Sequence, residues 1–185
     1  MSKKIFSTRE IVLIGITVSI SFILSRLIIF RMPQGGSVSL EALPIFLTAL
    51  IFGPRFGITA GFLLGCIKAL YGGFIIHPLQ FLIDYPLAHA ALGVSGFFRS
   101  KNRAKGLFGV LIAFLLRLSF HIVSGVIFFS EYAPVGKNVW LYSFTYNASF
   151  MVPEFVITFV ILTLVFNRVR LSFALRFNEI NHENK

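Results

Sequence analysis

One segment of the sequence places three polar side chains at helical spacing within an otherwise apolar stretch. His77, Gln80 and Asp84 are three and four residues apart, so on a helix they share one face, with Tyr85 beside it. Because an ionisable group surrounded by hydrocarbon is costly, a carboxylate such as Asp84 is a candidate functional residue whose partner has to be found. This pattern predicts a polar site on that face of the helix.

A second stripe of side chains repeats every four residues, from Arg117 through His121 and Gly125 to Phe129. A cation, an imidazole, a glycine gap and an aromatic ring in that order could bind a flat ligand against the gap. The stripe also has a structural interpretation, in which Arg117 pairs with Asp84, His121 is hydrogen-bonded between helices and Gly125 admits a bulky neighbour. Both interpretations stay open at this point.

A third segment concentrates aromatic and amide side chains, at Trp140, Tyr142, Tyr146 and Asn147. An amide both donates and accepts hydrogen bonds at the edge of a heteroaromatic ring, and aromatic faces attract organic cations. These aromatic residues could instead form a belt at the membrane interface. Together with the carboxylate of Glu154, the three segments predict a site for a small, planar, polar ligand that can carry positive charge.

Four motifs of familiar chemistry are absent: GxxxxGK[ST] for phosphate binding, HExxH and paired CxxC for zinc, and GxSxG for acyl transfer. No two of His77, His89 and His121 have the close spacing of a helical metal-ligand pair. We therefore expect a protein that is not an enzyme, with no cofactor and no bound metal. Any ATP-driven step requires another subunit.

The composition indicates which elements must position these residues. Hydrophobic residues make up 56% of the 185 residues, charged residues only 13%, and the mean hydropathy is +0.84. A membrane-spanning helix needs roughly 20 mostly apolar residues, so this length has room for five or six spans and no soluble domain. We expect one integral membrane domain over residues 1–185, an all-α membrane protein with six transmembrane helices at about residues 10–30, 38–52, 56–71, 79–98, 107–129 and 148–166.

The net charge of +10 comes mainly from chain ends and short connections, which argues for the lipid bilayer rather than nucleic acid as the partner. One set of them holds most of the cations: Lys3, Lys4, Arg9, Arg55, Arg99, Lys101, Arg103, Lys105, Arg168, Arg170, Arg176 and Lys185. The opposite connections hold only Arg31 and Lys137. Since cytoplasmic loops carry the excess of Lys and Arg, both termini are predicted to be cytoplasmic, as tails of about residues 1–9 and 168–185. The outer connections, residues 31–37, 72–78 and 130–146, could cover an external pocket.

Charged residues within the predicted spans are balanced in number: Arg26, Lys68 and Arg117 oppose Glu41, Asp84 and Glu154. Such residues are functional candidates by default, but their equal numbers make structural ion pairing a serious alternative. In the first span, Gly15 and Ser19 lie one turn apart and permit close approach of another helix. That helix could belong to this protein or to a partner.

Four stretches carry a resemblance to a known family: MPQGGSVSLEALPIF at residues 32–46, HPLQFLIDYPLAHAALGVSG at 77–96, HIVSGVIFFSEYAP at 121–134 and VWLYSFTYNASFMVPE at 139–154. Nearly from end to end, the sequence resembles the thiamine-specific S components of energy-coupling factor (ECF) transporters, the family also called ThiT or YuaJ. The resemblance implies a six-helix S-component fold in the bacterial cell membrane, with a vitamin pocket near the outer surface. It also implies docking through the first helices onto a transmembrane coupling subunit driven by two ATPase subunits.

The resemblance implies a set of thiamine-binding positions: Asp84, Tyr85, His121, Gly125, Phe129, Tyr142 and Asn147. Asp84 would supply the carboxylate for the cationic ligand, and His121, Tyr142 and Asn147 would hydrogen-bond it, while Tyr85 and Phe129 would flank its rings. Asp84 is a glutamate and Phe129 a tryptophan in some members, which bears on affinity more than on ligand identity. Gly15 and Ser19 resemble the family's Ala-xxx-Ala docking motif in position.

The expected function is high-affinity capture of thiamine from the external side, for ATP-driven uptake as an S component. A different mechanism is a self-sufficient proton-coupled thiamine carrier, with Asp84, Glu154 and His121 as a relay. An S component for another vitamin is a further alternative, since general likeness to S components alone would leave riboflavin, biotin or folate open. A small membrane enzyme or assembly protein would use the same charged residues for catalysis or partner packing.

Overall fold

The structure is a bundle of helices with one very short β-hairpin. The computed structural model describes residues 6–32, 36–100 and 102–182. We number its helices α1 (Thr8–Arg26), α2 (Ala42–Phe52), α3 (Pro54–Leu70), α4 (Pro78–Phe98), α5 (Arg103–Phe128) and α6 (Val139–His182). Strands β1 (Phe30–Arg31) and β2 (Ser37–Val38) pair antiparallel between α1 and α2. The prediction of a mostly helical protein is confirmed, and the hairpin is the exception that an all-α prediction missed.

Within the described part of the chain, four helices are long and apolar enough to cross a membrane. They are Thr8–Arg26, Pro78–Phe98, Arg103–Phe128 and Val139–Phe166. Helix α2 has 11 residues and α3 has 17. At 1.5 Å per residue, α2 spans only about half of the roughly 30 Å hydrocarbon core of a bilayer.

Helices α2 and α3 pack side by side around a sharp reversal at Gly53. Gly53 has φ +108°, a conformation that favours glycine because side chains with a Cβ are strained there. Pro54 then occupies the first turn of α3, where its missing N–H costs no hydrogen bond. The Arg99 guanidinium donates to the carbonyl oxygen of Phe52 at 3.2 Å, which satisfies one of the free carbonyls at the end of α2.

A stripe of glycines on α3 brings α4 into backbone contact with it. Gly57, Gly61 and Gly65 recur every four residues and are buried. A Cβ added to Gly61 would overlap the carbonyl of His89, and one added to Gly65 would overlap the carbonyl of Tyr85. Close approach through small residues is a common way to pack helices in membranes, where burial of apolar surface provides little driving force. Helix α4 therefore lies where larger residues on α3 would exclude it.

Helix α4 is irregular, and its irregular part contains the candidate residues Asp84 and Tyr85. The α-helical turn Pro78–Leu82 widens into a π-helical turn, Ile83–Leu87, before regular helix resumes at Ala88–Leu92. Pro86 lies inside the wide turn and has no N–H to donate to the preceding turn. Widened turns of this kind are frequent at functional sites.

The main hydrophobic core lies between α2, α5 and α6, around Ile45, Phe46, Val110, Ala113 and Leu162. Helix α1 packs on α2 and α3 through one apolar face, where Ile14 and Val18 lie against Phe56 and Ala60. The remaining face of α1 is exposed, and a Cβ on Gly15 would have no atom within 4 Å. Gly15 and Ser19 thus form an open surface, so the alternative of packing within this protein is wrong for the described residues.

Helix α6 begins earlier than predicted, at Val139 rather than near residue 148. The side-chain oxygen of Asn138 accepts hydrogen bonds from the backbone N–H groups of Trp140 and Leu141, at 2.8 and 3.2 Å. Asparagine at this position is a strong helix-start signal that the apolar pattern alone did not reveal. The predicted outer connection 130–146 is therefore partly helix, and Tyr142 and Tyr146 project from successive turns of α6.

Candidate ligand-binding site

A cavity of about 350 Å³ opens among the ends of α1, α3, α4, α5 and α6 and the β-hairpin. This volume is within the range of small-molecule sites. All of the positions predicted for ligand binding line it: Asp84, Tyr85, His121, Gly125, Phe129, Tyr142 and Asn147. The residues that helical spacing and resemblance selected on three different parts of the sequence therefore meet around one cavity. Their contact with thiamine stays a prediction.

The Asp84 carboxylate contacts three polar side chains: an amide, a hydroxyl and an imidazole. Its Oδ2 accepts from the Gln80 amide at 2.8 Å and from the Ser124 hydroxyl at 2.7 Å. Its Oδ1 lies 3.2 Å from Nδ1 of His121. Because a carboxylate oxygen can only accept, Nδ1 carries a hydrogen, and in the neutral ring Nε2 is then an acceptor. This Nε2 is buried and has no hydrogen-bond partner among the described residues, so it is free to accept from a ligand.

The predicted face of His77, Gln80 and Asp84 forms only in part. Gln80 and Asp84 meet, but the His77 ring caps the start of α4 by accepting from the backbone N–H of Leu79 at 3.1 Å. The same ring stacks on Phe128, with ring centroids 5.3 Å apart. His77 is thus a capping residue outside the cavity lining, as a histidine just before a proline-started helix could have suggested.

Gly125 serves helix packing as well as lining the cavity. A Cβ at this position would overlap the hydroxyl of Ser143, whose own hydrogen bond goes to the carbonyl of Ile122 at 2.8 Å. The glycine therefore admits the Ser143 side chain of α6, as the structural interpretation of the stripe predicted, while contact of a flat ligand with Gly125 stays a prediction. Next to this contact, the Asn147 amide donates to the carbonyl of Ser143 at 2.9 Å and so is fixed in position at the cavity wall.

Aromatic rings form much of the remaining wall. Phe129 lies with its ring centroid 6.2 Å from that of Phe74, a residue of the connection between α3 and α4. Tyr142 and Tyr146 stack at the same centroid separation on α6. Trp140 is different, because its side chain is 58% exposed and does not line the cavity. Trp140 is therefore not part of the cavity wall, and a covering role for the connection that contains it stays a prediction.

A second polar group lies deeper and consists of Glu41, Lys68, His89, Arg117 and Glu154, which we name the Glu41 cluster. Glu41 is 2.6 Å from Lys68, 3.2 Å from His89 and 3.0 Å from Arg117. Arg117 also contacts Glu154 at 3.1 Å. Structural ion pairing, one of the alternatives from the sequence, is thus correct for this group. The proposed pairing of Arg117 with Asp84 is wrong, because both carboxylates that Arg117 meets come from α6 and the start of α2.

His89 is the member of the Glu41 cluster that sequence reasoning missed, since it was considered only as a metal ligand. Its Nδ1 lies 2.7 Å from the carbonyl of Tyr85, and its Nε2 faces Glu41. The signal that was available is the four-residue spacing from Tyr85, which puts the imidazole over a carbonyl of the preceding turn. Among the residues that the structure describes, no group of three His, Cys, Asp or Glu could hold a metal ion.

Comparisons with known proteins agree with one another. The chain is 40% identical over 178 residues to the thiamine transporter ThiT of Bacillus subtilis, covering 89% of this chain and 92% of that protein. It is 32% identical over 118 residues to ThiT of Lacticaseibacillus paracasei, covering 55% of this chain and 59% of that protein. A solved structure of ThiT from Listeria monocytogenes has the same fold, with a TM-score of 0.74, 24% identity, and coverage of 84% of this chain and 92% of that one.

The family model described as thiamine transporter protein matches residues 11–173, which is nearly the whole chain. This match includes all of the predicted ligand-binding residues and all of the Glu41 cluster. The family consists of transporters rather than enzymes, and its apolar helices place it in the cell membrane. The chain therefore belongs to the Thia_YuaJ family of thiamine transporter proteins and is a multi-pass protein of the bacterial cell membrane.

Proposed function

We propose that this protein captures thiamine from the external side with high affinity and delivers it for ATP-driven uptake as the S component of an ECF transporter. Its partners would be a transmembrane coupling subunit and two ATPase subunits. The observation that carries the proposal is the convergence of Asp84, His121 and Asn147 on one cavity of about 350 Å³ in a chain of the thiamine transporter family. This arrangement supports binding without covalent chemistry.

The chemistry of the cavity suits an aminopyrimidine joined to a cationic ring. The free Nε2 of His121 accepts a hydrogen bond and so matches an amino group. Asp84 supplies negative charge that attracts a cation, at a place where little water competes. The rings of Tyr85 and Phe129 offer faces for the two ligand rings. Tyr142 and Asn147 complete the proposed polar contacts.

We propose six membrane spans, with both termini in the cytoplasm and the whole chain as a single membrane domain. The positive-inside pattern of the connections supports this topology. Helix α2 is too short to cross alone, but it is packed between α1, α3 and α6, so its ends need not face lipid. The exposed pair Gly15 and Ser19 on α1 is the proposed docking surface for the coupling subunit.

A proton-coupled carrier is the competing mechanism, with Asp84, His121 and Glu154 as its relay. In the structure, Glu154 is bonded to Arg117 in the Glu41 cluster, whereas Asp84 and His121 are bonded to each other. The three residues therefore do not form one hydrogen-bonded chain, which favours the S-component mechanism.

Uptake of labelled thiamine into proteoliposomes separates the two mechanisms. We expect uptake only when the coupling subunit, both ATPases and ATP are present, with no effect of an imposed pH gradient. Vesicles that contain this protein alone are the control. Uptake into those control vesicles that follows the pH gradient would overturn the S-component mechanism and favour the carrier.

A further inference from the structure

Gln80 is a buried residue that none of the predicted thiamine contacts includes. Its side chain is 1% exposed and lies beside the cavity at the start of α4. Its Nε2 donates to Asp84 Oδ2 at 2.8 Å and to the carbonyl of Phe74 at 3.1 Å, and its Oε1 accepts from the N–H of Ile76 at 3.3 Å. Both amide hydrogens and the oxygen are thus used. Rotating the amide by half a turn would oppose like groups at all of these contacts, so its orientation is fixed.

The three hydrogen bonds of Gln80 join two parts of the site. One is the carboxylate of Asp84, in the wide turn of α4. The other is the connection between α3 and α4, residues 71–77, which contributes Tyr71, Gly72 and Phe74 to the cavity lining. The same connection is held a second time by Tyr85, whose hydroxyl accepts from the N–H of Phe74 at 2.7 Å.

Ser124 contacts only one of these two parts, the Asp84 carboxylate. Its hydroxyl donates to the same Asp84 oxygen, at 2.7 Å, but its hydrogen bond goes to that carboxylate alone. Replacing Ser124 therefore disturbs the carboxylate and spares the connection, whereas replacing Gln80 disturbs both. The protein thus contains a matched control for the role of Gln80.

We propose that Gln80 is a positioning residue of the binding site, which orients the Asp84 carboxylate toward the ligand and fixes the connection that carries Phe74 over the cavity. This inference rests on the proposed function, since it concerns how thiamine would be held. Without the amide, Asp84 Oδ2 keeps only one donor and can turn about its last side-chain bond, which also loosens the contact with His121. The connection loses two of its hydrogen bonds at the same time.

The test uses Gln80→Met, which keeps the side-chain length but removes the amide, with Ser124→Ala beside it. Thiamine affinity is measured by calorimetry, and backbone hydrogen exchange is measured over residues 72–77. Loss of a hydrogen bond to a charged group predicts affinity about 10- to 100-fold weaker for Gln80→Met. We expect faster exchange over residues 72–77 in Gln80→Met and unchanged exchange in Ser124→Ala.

A double-mutant cycle with Asp84→Asn separates positioning from general support of the fold. Gln80→Met is expected to cost much less affinity in the Asp84→Asn background than in the wild type, because the group it positions is already altered. Equal loss in both backgrounds, unchanged affinity or unchanged exchange would overturn the inference.

Two further controls keep the outcome interpretable. If Gln80→Met does not fold, Gln80→Asn replaces it, since its amide is one methylene too short to reach both partners, and the same outcomes apply. Failure of the wild-type protein to bind thiamine would count against the proposed function. A wild type that binds, next to a Gln80 variant that binds equally well, would count against this inference alone.

Discussion

Two carboxylates face the same cavity, and their partners give them different roles. Glu41 is surrounded by Lys68 and Arg117, so its charge is already compensated within the protein. Asp84 is bonded by an amide, a hydroxyl and an imidazole, and none of these brings a permanent positive charge. A cationic ligand therefore gains more by approaching Asp84 than by approaching Glu41. The same contrast explains why equal numbers of charges in the spans do not exclude a functional carboxylate.

The Glu41 cluster is expected to stabilise the fold. Glu41→Gln keeps the size of the side chain but leaves the buried Arg117 and the partly buried Lys68 with less compensation, at a cost of about 3 kcal/mol in the free energy of unfolding. We expect a clearly lower midpoint of thermal unfolding for the purified protein in detergent. Glu131→Gln makes the same chemical change at an exposed position and is expected to leave the midpoint unchanged. Equal midpoints for the two variants would contradict a structural role for the cluster.

At the scale of elements, helix positions were predictable, whereas contacts between helices were not. Apolar runs located helices α1 to α6, because a helix surrounded by lipid requires such a run. Helical spacing also placed Asp84 and His121 correctly on the faces that line the cavity. Spacing describes each helix separately, however, and does not fix how neighbouring helices are rotated and aligned. The partner of Arg117 was assigned wrongly for this reason.

The wide turn of α4 was a further feature that a regular pattern could not show. Regular helical spacing assumes a constant rotation per residue, and the π-helical turn at Ile83–Leu87 changes that rotation between Gln80 and His89. Pro86 was the available sign of irregularity. The position of His89 opposite Glu41, rather than toward lipid, follows from this turn and from the glycines of α3 that receive it.

The glycine stripe of α3 gives the sharpest prediction for a single element. Gly61→Val would force α4 away from α3, because the new side chain overlaps a backbone carbonyl that cannot turn aside. The expected cost is about 1–3 kcal/mol or more in the free energy of unfolding, measured as a lower thermal midpoint. Gly15→Val on the exposed face of α1 is the matched control and is expected to leave the midpoint nearly unchanged. Similar midpoints for both variants would show that the two helices do not depend on this close contact.

At the scale of the whole molecule, α1 stands at the edge of the bundle. It packs on α2 and α3, while Ile11, Gly15, Ser19 and Ile23 are exposed on its other side. Of the residues of α1, only Ser25 and Arg26 at its C-terminal end line the cavity. The proposed docking surface and the candidate binding site are thus separate enough for one to be altered without the other.

A large side chain on the proposed docking surface is expected to reduce thiamine uptake without changing thiamine affinity. Ser19→Leu would place a large side chain where the coupling subunit is proposed to approach, so uptake of labelled thiamine with the complete transporter should fall at least severalfold. Thiamine affinity of the isolated protein should stay the same, since Ser19 does not line the cavity. Ser119→Leu makes the identical change at an exposed position of α5 and should leave uptake intact. Equal uptake by both variants would exclude this face of α1 as the docking surface.

The most direct test of the account is calorimetric titration of the purified, monodisperse protein with thiamine, with Asp84→Asn beside the wild type. Calorimetry is preferable to tryptophan fluorescence because Trp140 lies outside the cavity lining. We predict saturable binding by the wild type, about 10- to 100-fold weaker binding by Asp84→Asn, and no displacement of thiamine by riboflavin, biotin or folate. Absence of thiamine binding in folded wild-type protein, or equal affinity in Asp84→Asn, would contradict the central claim that this cavity captures thiamine through Asp84.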